Sequence, residues 1–259
     1  MSAHKRRFTV LELFAVVCVI LVLVSMMLPA MSGLREKARR LACLSSMKQI
    51  GIGLMGYAAS NRNRVPTRTP GSSGYPGMLH EDNNNSAVFG RSFNQVLPGI
   101  FDYDTGKGAE FFTCKSQRFS AKQMWVNSNN GNWRCIGFFY WSIVRTNLTW
   151  SFPLPKSNFS SGRITDIDSQ TPLLSDPVVY YNGILISANH VKGGLSGNAY
   201  VPVGASVPGN NGGYYNTSGT PTGINQLHAD GSGRWYKPEQ LRKAYTTWNW
   251  DMYAGYGYE

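Results

Sequence analysis

The chain has 259 residues, of which 42% are hydrophobic and 15% charged; this is enough apolar content to bury a core and too much for a disordered tail. Four Cys are too few for a disulfide-built miniprotein, and neither a CxxC pair nor clustered Cys/His spacing is present, so a structural zinc site is not expected. The net charge of +11 is uneven: residues 1–64 hold ten Lys/Arg against two acids and residues 65–259 hold 15 against 12, so the excess flanks one apolar segment, pointing to membrane topology and arguing against nucleic acid as a partner.

That segment runs from Leu13 to Leu28 with Ser25 as its one polar residue, and the wider window 8–31 contains a single charge, Glu12. At 1.5 Å rise per residue the window reaches the roughly 20 residues that a bilayer span needs. Lys5, Arg6 and Arg7 place residues 1–7 on the cytoplasmic side by the positive-inside rule. A signal peptide cleaved after Ala30 is the alternative. Against it stand Glu12, a costly residue in an apolar stretch, and a helical pattern that does not stop there. Leu34, Ala38, Leu41, Ser45, Ile52, Gly56 and Ala59 fall in one narrow stripe that excludes Arg35, Arg39 and Arg40. One helix from Phe8 to about Ser60 is therefore expected, residues 32–64 being its amphipathic half, with a kink at Pro29. Gly51, Gly53 and Gly56 each weaken a helix by ~1 kcal/mol relative to Ala. The second half thus needs a surface to pack on, and its small residues permit close approach of another backbone.

Arg-Arg-Phe-Thr-Val-Leu-Glu-Leu (6–13), the apolar run, Pro29 and the following Arg-Glu-Lys-Ala-Arg-Arg resemble the N-terminal signature of type IV prepilins and type II secretion pseudopilins. Counted from Phe8, Glu12 is fifth and Pro29 twenty-second, as in that family. Residues 34–66 further resemble a bacterial pilin-like subgroup whose heads end in a His…Asp-Gly motif. Its two C-terminal elements are matched by Asn189-His190-Val191-Lys192-Gly193-Gly194 and Leu227-His228-Ala229-Asp230-Gly231. The resemblance implies cleavage before Phe8 by a prepilin peptidase, N-methylation of Phe8, residence in the inner membrane, and export by an assembly machinery into a homo-oligomeric helical filament. Glu12 would pair there with the amine of Phe8, since an unpaired carboxylate is costly in an apolar bundle. Arg7 departs from the family pattern, which has Gly before the Phe. Cys43 and Cys114 sit where the subgroup often has Cys, so a bridge between them is the first choice and Cys114–Cys135 the second; Cys18, in the membrane segment, is expected to be unpaired.

Residues 65–259 alternate short apolar runs with Gly/Asn/Ser/Pro-rich connections, the pattern of a β-rich extracytoplasmic head. Strands are expected at 135–144, 172–174, 178–181, 184–188 and 224–227, the last pairing with 233–236 across Ala229-Asp230-Gly231-Ser232. Long loops are expected at 68–85, 127–132 and 193–223. Pro238–Thr246 is read as a short helix before the aromatic tail Trp248–Glu259. Phe138, Phe139, Tyr140 and Trp141 are read as core. The tail aromatics Trp248, Trp250, Tyr253, Tyr256 and Tyr258 are a strip that should bury against something, a glycan or an envelope protein among the candidates.

Asp102-Tyr103-Asp104-Thr105-Gly106 resembles the first half of a calcium loop, but its twelfth position is Thr113, so a polar turn is preferred. Asp166 and Asp168 alternate in the same way, and calcium stays open as a cofactor at either pair. His190, His228 and Asp230 could form a metal site or a base with its orienter if they meet in space. A hairpin turn explains Asp230 and Gly231 without chemistry, and no nucleophile elbow, phosphate loop or HExxH is present. The reading is an α+β chain: a long N-terminal helix packed on an antiparallel head, acting as a structural filament subunit and not an enzyme. The alternative is a membrane-anchored binding protein that does not polymerise.

Overall fold

The first helix, α1 (Val10–Ser60), begins at a capping box. The Thr9 backbone N–H and hydroxyl donate to Glu12 Oε2 at 2.8 and 3.0 Å, and the Glu12 N–H donates to the Thr9 hydroxyl at 3.2 Å, satisfying helix-start donors that have no intrahelical partner. Its C-terminus is closed by Asn61-Arg62-Asn63. Arg62 and Asn63 are left-handed, at φ 57° and 60°, the Asn63 N–H returns to Ala58 O at 2.8 Å, and Asn61 Nδ2 donates to Tyr57 O. The helix expected over Phe8 to about Ser60 is present, and it runs through position 29.

The computed structural model describes residues 9–66, 78–80, 91–116, 134–135, 137–141, 162–181, 184–192, 219–247 and 250–255, without the side chains of 27–32 and of several strand residues. It divides into two compact units, Met1–Arg39 and Arg40–Glu259. In the first, every large apolar side chain from Val10 to Met26 is 43–85% exposed. Among the described residues no helix is long and apolar enough to cross a membrane. The side chains of the window 8–31 are described only for part of it, and the span expected there is not met within them.

The second unit holds the strands β1 (Met78–His80), β2 (Arg134–Cys135), β3 (Phe139–Tyr140), β4 (Pro172–Ser175), β5 (Val178–Tyr181), β6 (Ile184–Ala188), β7 (Val191–Lys192), β8 (Thr220–Pro221), β9 (Ile224–His228), β10 (Gly233–Tyr236), β11 (Leu241–Thr247) and β12 (Trp250–Gly255). Among the described residues all strand pairings are antiparallel: two four-stranded sheets ordered β10-β9-β4-β3 and β11-β12-β5-β6, and the pairs β1-β2 and β7-β8. Mixed helix and antiparallel sheet, the α+β class, is thus what forms. β5 and β6 match their expected bounds, and β9–β10 is the expected hairpin, Gly231 supplying φ 79° at the turn.

Three expectations need correction. Residues 135–144 do not make one strand: β2 and β3 are separated by a bend at 137–138, with 142–144 outside the described residues. Pro238–Thr246 is not a helix; only Pro238–Gln240 forms a 3-10 turn, and Leu241–Thr247 pairs with β12. Its Tyr-Thr-Thr end suits a pleated surface, and ladder partners outweigh local helix preference. Part of the tail, Trp250–Gly255, is itself a strand between β11 and β5, so it is built into a sheet, with Tyr253 edge-on to Tyr180 at 5.4 Å. Of the expected loops, most of 68–85 and 193–223 and all of 127–132 lie outside the described residues, and β1 and β8 fall within the first and last.

The face of α1 that packs is also not the expected stripe. Leu34, Leu41 and Ile52 are 65–73% exposed, and Ala38, Ser45, Gly56 and Ala59 are exposed with them. The buried face is Cys43, Met47, Ile50, Leu54 and Ala58. Both stripes have helical spacing, and Leu41 and Cys43, like Ile50 and Ile52, are roughly 200° apart around the axis. The wider buried side chains win because they fill more of the head's interior. They cluster with Phe93, Val96, Phe112, Tyr140, Leu174 and Leu227, and the aromatics of 138–141 are buried as expected. β9 is buried at every position. Its Leu227 meets α1 at Gly51, while the Gln226 amide exchanges two hydrogen bonds with the Gly255 backbone, tying the two sheets.

Gly53 shows how close the backbones come: a Cβ there would lie 2.1 Å from the Val96 carbonyl oxygen, whereas one at Gly56 would meet nothing. A backbone oxygen cannot swing aside. Gly53→Ala is expected to cost about 1–3 kcal/mol by overpacking, while Gly56→Ala should gain up to ~1 kcal/mol from helix propensity. Thermal melts of the two variants in detergent check the opposite signs.

Candidate functional site

Where β4 ends, Ser175-Asp176-Pro177 carries the chain from one sheet to the other, and Asp176 is fully buried there. A carboxylate in that position must have its oxygens satisfied. Asn189 Nδ2 donates to Oδ1 at 2.9 Å; the Asn225 N–H and Nδ2 donate to Oδ2 at 2.8 and 2.9 Å. His190 Nε2 lies 3.2 Å from Oδ2. Asn225 comes from β9, inside one sheet, and Asn189 and His190 follow β6, an edge strand of the other, so one carboxylate ties the two sheets.

The same His190 nitrogen is 3.6 Å from Cys114 Sγ, and Cys114 is bonded to Cys43 of α1. Disulfide, imidazole and carboxylate therefore form one buried group: Cys43, Cys114, Asp176 and His190 place one ligand-type atom each within 4.8 Å of one another. The sulfurs accept the Lys115 N–H at 3.1 Å (Cys43) and the Ser116 N–H at 3.4 Å (Cys114). Around the rim, Trp235 stands edge-on to His190 at 5.2 Å, the Arg40 guanidinium lies 3.9 Å over Trp235, and Arg40 Nη2 donates to Thr222 Oγ1 at 3.0 Å. Thr222 in turn donates through its N–H and hydroxyl to His190 O, and Asn225 Nδ2 also reaches Arg40 O at 3.1 Å.

The arrangement is not that of a nucleophile, base and orienter. In such a relay the base uses one ring nitrogen for the nucleophile and the other for the acid, whereas here Cys114 and Asp176 face the same nitrogen, and the Cys114 sulfur is already in a disulfide.

His228 belongs to a different neighbourhood. Its Nδ1 is 2.5 Å from Gln170 O, and its Nε2 is 3.0 Å from the Tyr236 hydroxyl. A carbonyl only accepts, so Nδ1 carries the proton and Nε2 accepts from Tyr236. Burial holds this histidine below its ordinary range. Asp230 is exposed, and its Oδ1 accepts the Ser232 N–H while its Oδ2 accepts from Gln170 Nε2. Asp230 and Gly231 thus make the hairpin turn, and the structure gives His190 and His228 separate partners.

The acidic pairs have local protein partners. Asp102 Oδ1 accepts the N–H groups of Asp104 and Thr105, the first of which chiefly holds its carboxyl below the usual range. Asp104 is forked by Arg91 at 2.9–3.1 Å. Asp166 accepts from the Thr165 hydroxyl and Asp168 from the Gln170 N–H. Among the described residues, none of the four joins a group of three or more metal-type side chains.

Of the other sequence candidates, Arg7 and Phe8 lie outside the described residues, as do the side chains of Pro29 and Cys135. Glu12 caps α1, and Cys18 is free and exposed. The Cys43–Cys114 bridge, first choice from the resemblance, is formed. Sequence reasoning missed Asp176 and Asn225, although each left a signal: one carboxylate within Leu-Leu-Ser-Asp-Pro-Val-Val and one amide within a buried strand. It also missed the Thr9-x-x-Glu12 capping signature. The zinc expectation rested on local spacing, and positions 43, 114, 176 and 190 have none. Comparison with family models, curated proteins and solved structures finds no match for this chain.

Proposed function

We propose that the chain is a structural subunit of a pilus-like or pseudopilus-like filament, assembling through its N-terminal helix and presenting the β-rich head outside the cytoplasmic membrane. The supporting observation is the bare apolar helix: from Val10 to Met26 its large side chains are 43–85% exposed, a surface that water disfavours at roughly 25 cal/mol per Å². Lipid before assembly and neighbouring copies after it are the covers this reading assigns. Phe8 and residues 27–31 lengthen the apolar run in the sequence to the window a span needs.

Glu12 has two roles in this scheme. It caps α1 in the single chain, and once Phe8 is the first residue its carboxylate would pair with the new amine of the same or a neighbouring chain. Glu12→Ala is expected to leave the head fold unchanged while lowering filament yield at least about tenfold, the loss of one buried charge pair at 1.4 kcal/mol per decade or more. Filaments recovered at the parental level from this variant would count against the proposal. Intact mass of the native protein supplies the second check: a chain starting at methylated Phe8 is expected. An unprocessed chain, as Arg7 would favour, supports instead a membrane-anchored binding protein that does not polymerise. Under this proposal the head is assigned no catalysis; among the described residues the buried His190–Cys114 pair has its sulfur in a disulfide.

A further inference from the structure

We propose that the buried group Cys43, Cys114, His190 and Asp176 is a two-state site: a disulfide when oxidised, and a tetrahedral binding site for a zinc-type divalent cation when reduced. This stands apart from the filament reading and holds or fails without it.

The donor set is the first ground. Two thiolates, one imidazole and one carboxylate are ligands that zinc takes in closed four-coordinate sites. The second is spacing. A regular tetrahedron with ~2.3 Å metal–sulfur and ~2.0–2.2 Å metal–nitrogen and metal–oxygen bonds puts sulfur about 3.5 Å from nitrogen and nitrogen about 3.4 Å from oxygen. Here Cys114 Sγ is 3.6 Å from His190 Nε2, and Nε2 is 3.2 Å from Asp176 Oδ2. The two sulfurs must separate, from bonded contact to the roughly 3.8 Å of such a tetrahedron, and the other pairs among the four ligand atoms lie within 4.8 Å.

The third ground is the shell of donors. A carboxylate has about four lone-pair sites; the Asn225 N–H and Nδ2 take two on Oδ2 and Asn189 Nδ2 takes one on Oδ1, so one acceptor site remains, on Oδ1. Partners of this kind orient metal ligands. The Lys115 and Ser116 N–H groups aimed at the two sulfurs do more for thiolates than for a neutral disulfide, because a charged acceptor strengthens the bond.

The interconversion balances. A dithiol reductant gives two electrons and two protons to the Cys43–Cys114 bond and closes its own disulfide. The bond breaks into two thiols, whose protons pass to solvent as the cation binds both sulfurs. His190 binds through Nε2, the proton that this nitrogen turns toward Asp176 in the oxidised state moving to Nδ1, and Asp176 binds as the carboxylate.

The test uses the full chain in detergent, with Cys18→Ser to remove the exposed thiol, reduced by a water-soluble phosphine in the presence of zinc. Metal analysis is expected to give one zinc per reduced chain and at least about tenfold less in the oxidised chain, and His190→Gln, which removes a ligand, should weaken binding by more than the roughly 10–100-fold that loss of a ligand's outer partner costs. X-ray absorption of the loaded wild-type site should show two sulfurs and two nitrogen or oxygen neighbours, a readout that does not depend on any variant folding. A reduced chain, its free thiols counted, that takes up no zinc overturns the proposal. So does a first shell of oxygen and nitrogen alone, or of three or four sulfurs.

Discussion

Opening the Cys43–Cys114 disulfide, with a chelator present, is expected to lower the unfolding free energy of the head by about 4 kcal/mol. The bridge closes a loop of sequence separation 71, and the loop-closure entropy it removes from the unfolded chain amounts to roughly 4 kcal/mol at 25 °C for that length. Few marginally stable domains keep much margin after such a loss. Cys43→Ser/Cys114→Ser in detergent, unfolded by urea, checks the figure through the shift of the midpoint at unchanged slope. A shift corresponding to under ~1 kcal/mol would mean that the interior cluster around Met47, Ile50 and Leu54 already holds α1 to the sheets without it. The consequence for function lies in the same place: under the filament reading the bridge holds the helix that enters the filament to the head that is displayed.

Asp176→Ala should cost about 3–5 kcal/mol, the range for removing one partner of a buried charged network. The reason is less the lost carboxylate than what it leaves behind. The Asn225 N–H, the Asn225 and Asn189 amides and His190 Nε2 all point at its oxygens, and each buried donor left unpaired costs about 1–3 kcal/mol before relaxation. Asp176→Asn keeps one accepting oxygen and is expected to lose less. As a contrast, Asp104→Ala removes an ion pair to Arg91 whose side chains are 52% and 57% exposed, so solvent screening should leave its effect small. Urea titrations of the three variants should rank Asp176→Ala as most destabilised and Asp104→Ala as least; equal stability of these two would remove Asp176 from its place as the knot of the two sheets. Its effect and that of the disulfide should not add, since His190 Nε2 touches both groups.

Sequence alone determined what depends on neighbours along the chain. Helix period set the extent of α1, and the Asp230-Gly231 turn set the β9–β10 hairpin, because backbone geometry at these points follows from nearby residues. It determined that Phe138 to Trp141 are core, since four adjacent aromatics leave few ways to stay wet. Tertiary structure alone decided which face of α1 is buried. Two stripes with the same period compete, and the choice depends on the volume offered by Phe93, Phe112 and Leu227, all distant in sequence. It also turned Leu241–Thr247 from a helical reading into a strand, because the ladder with Trp250–Gly255 contributes pairing that no local preference anticipates. Asp176, His190, Cys114 and Cys43 were separated by the chain and joined by the fold: a carboxylate or a sulfur carries no mark of its partner until burial removes water and makes the partner necessary.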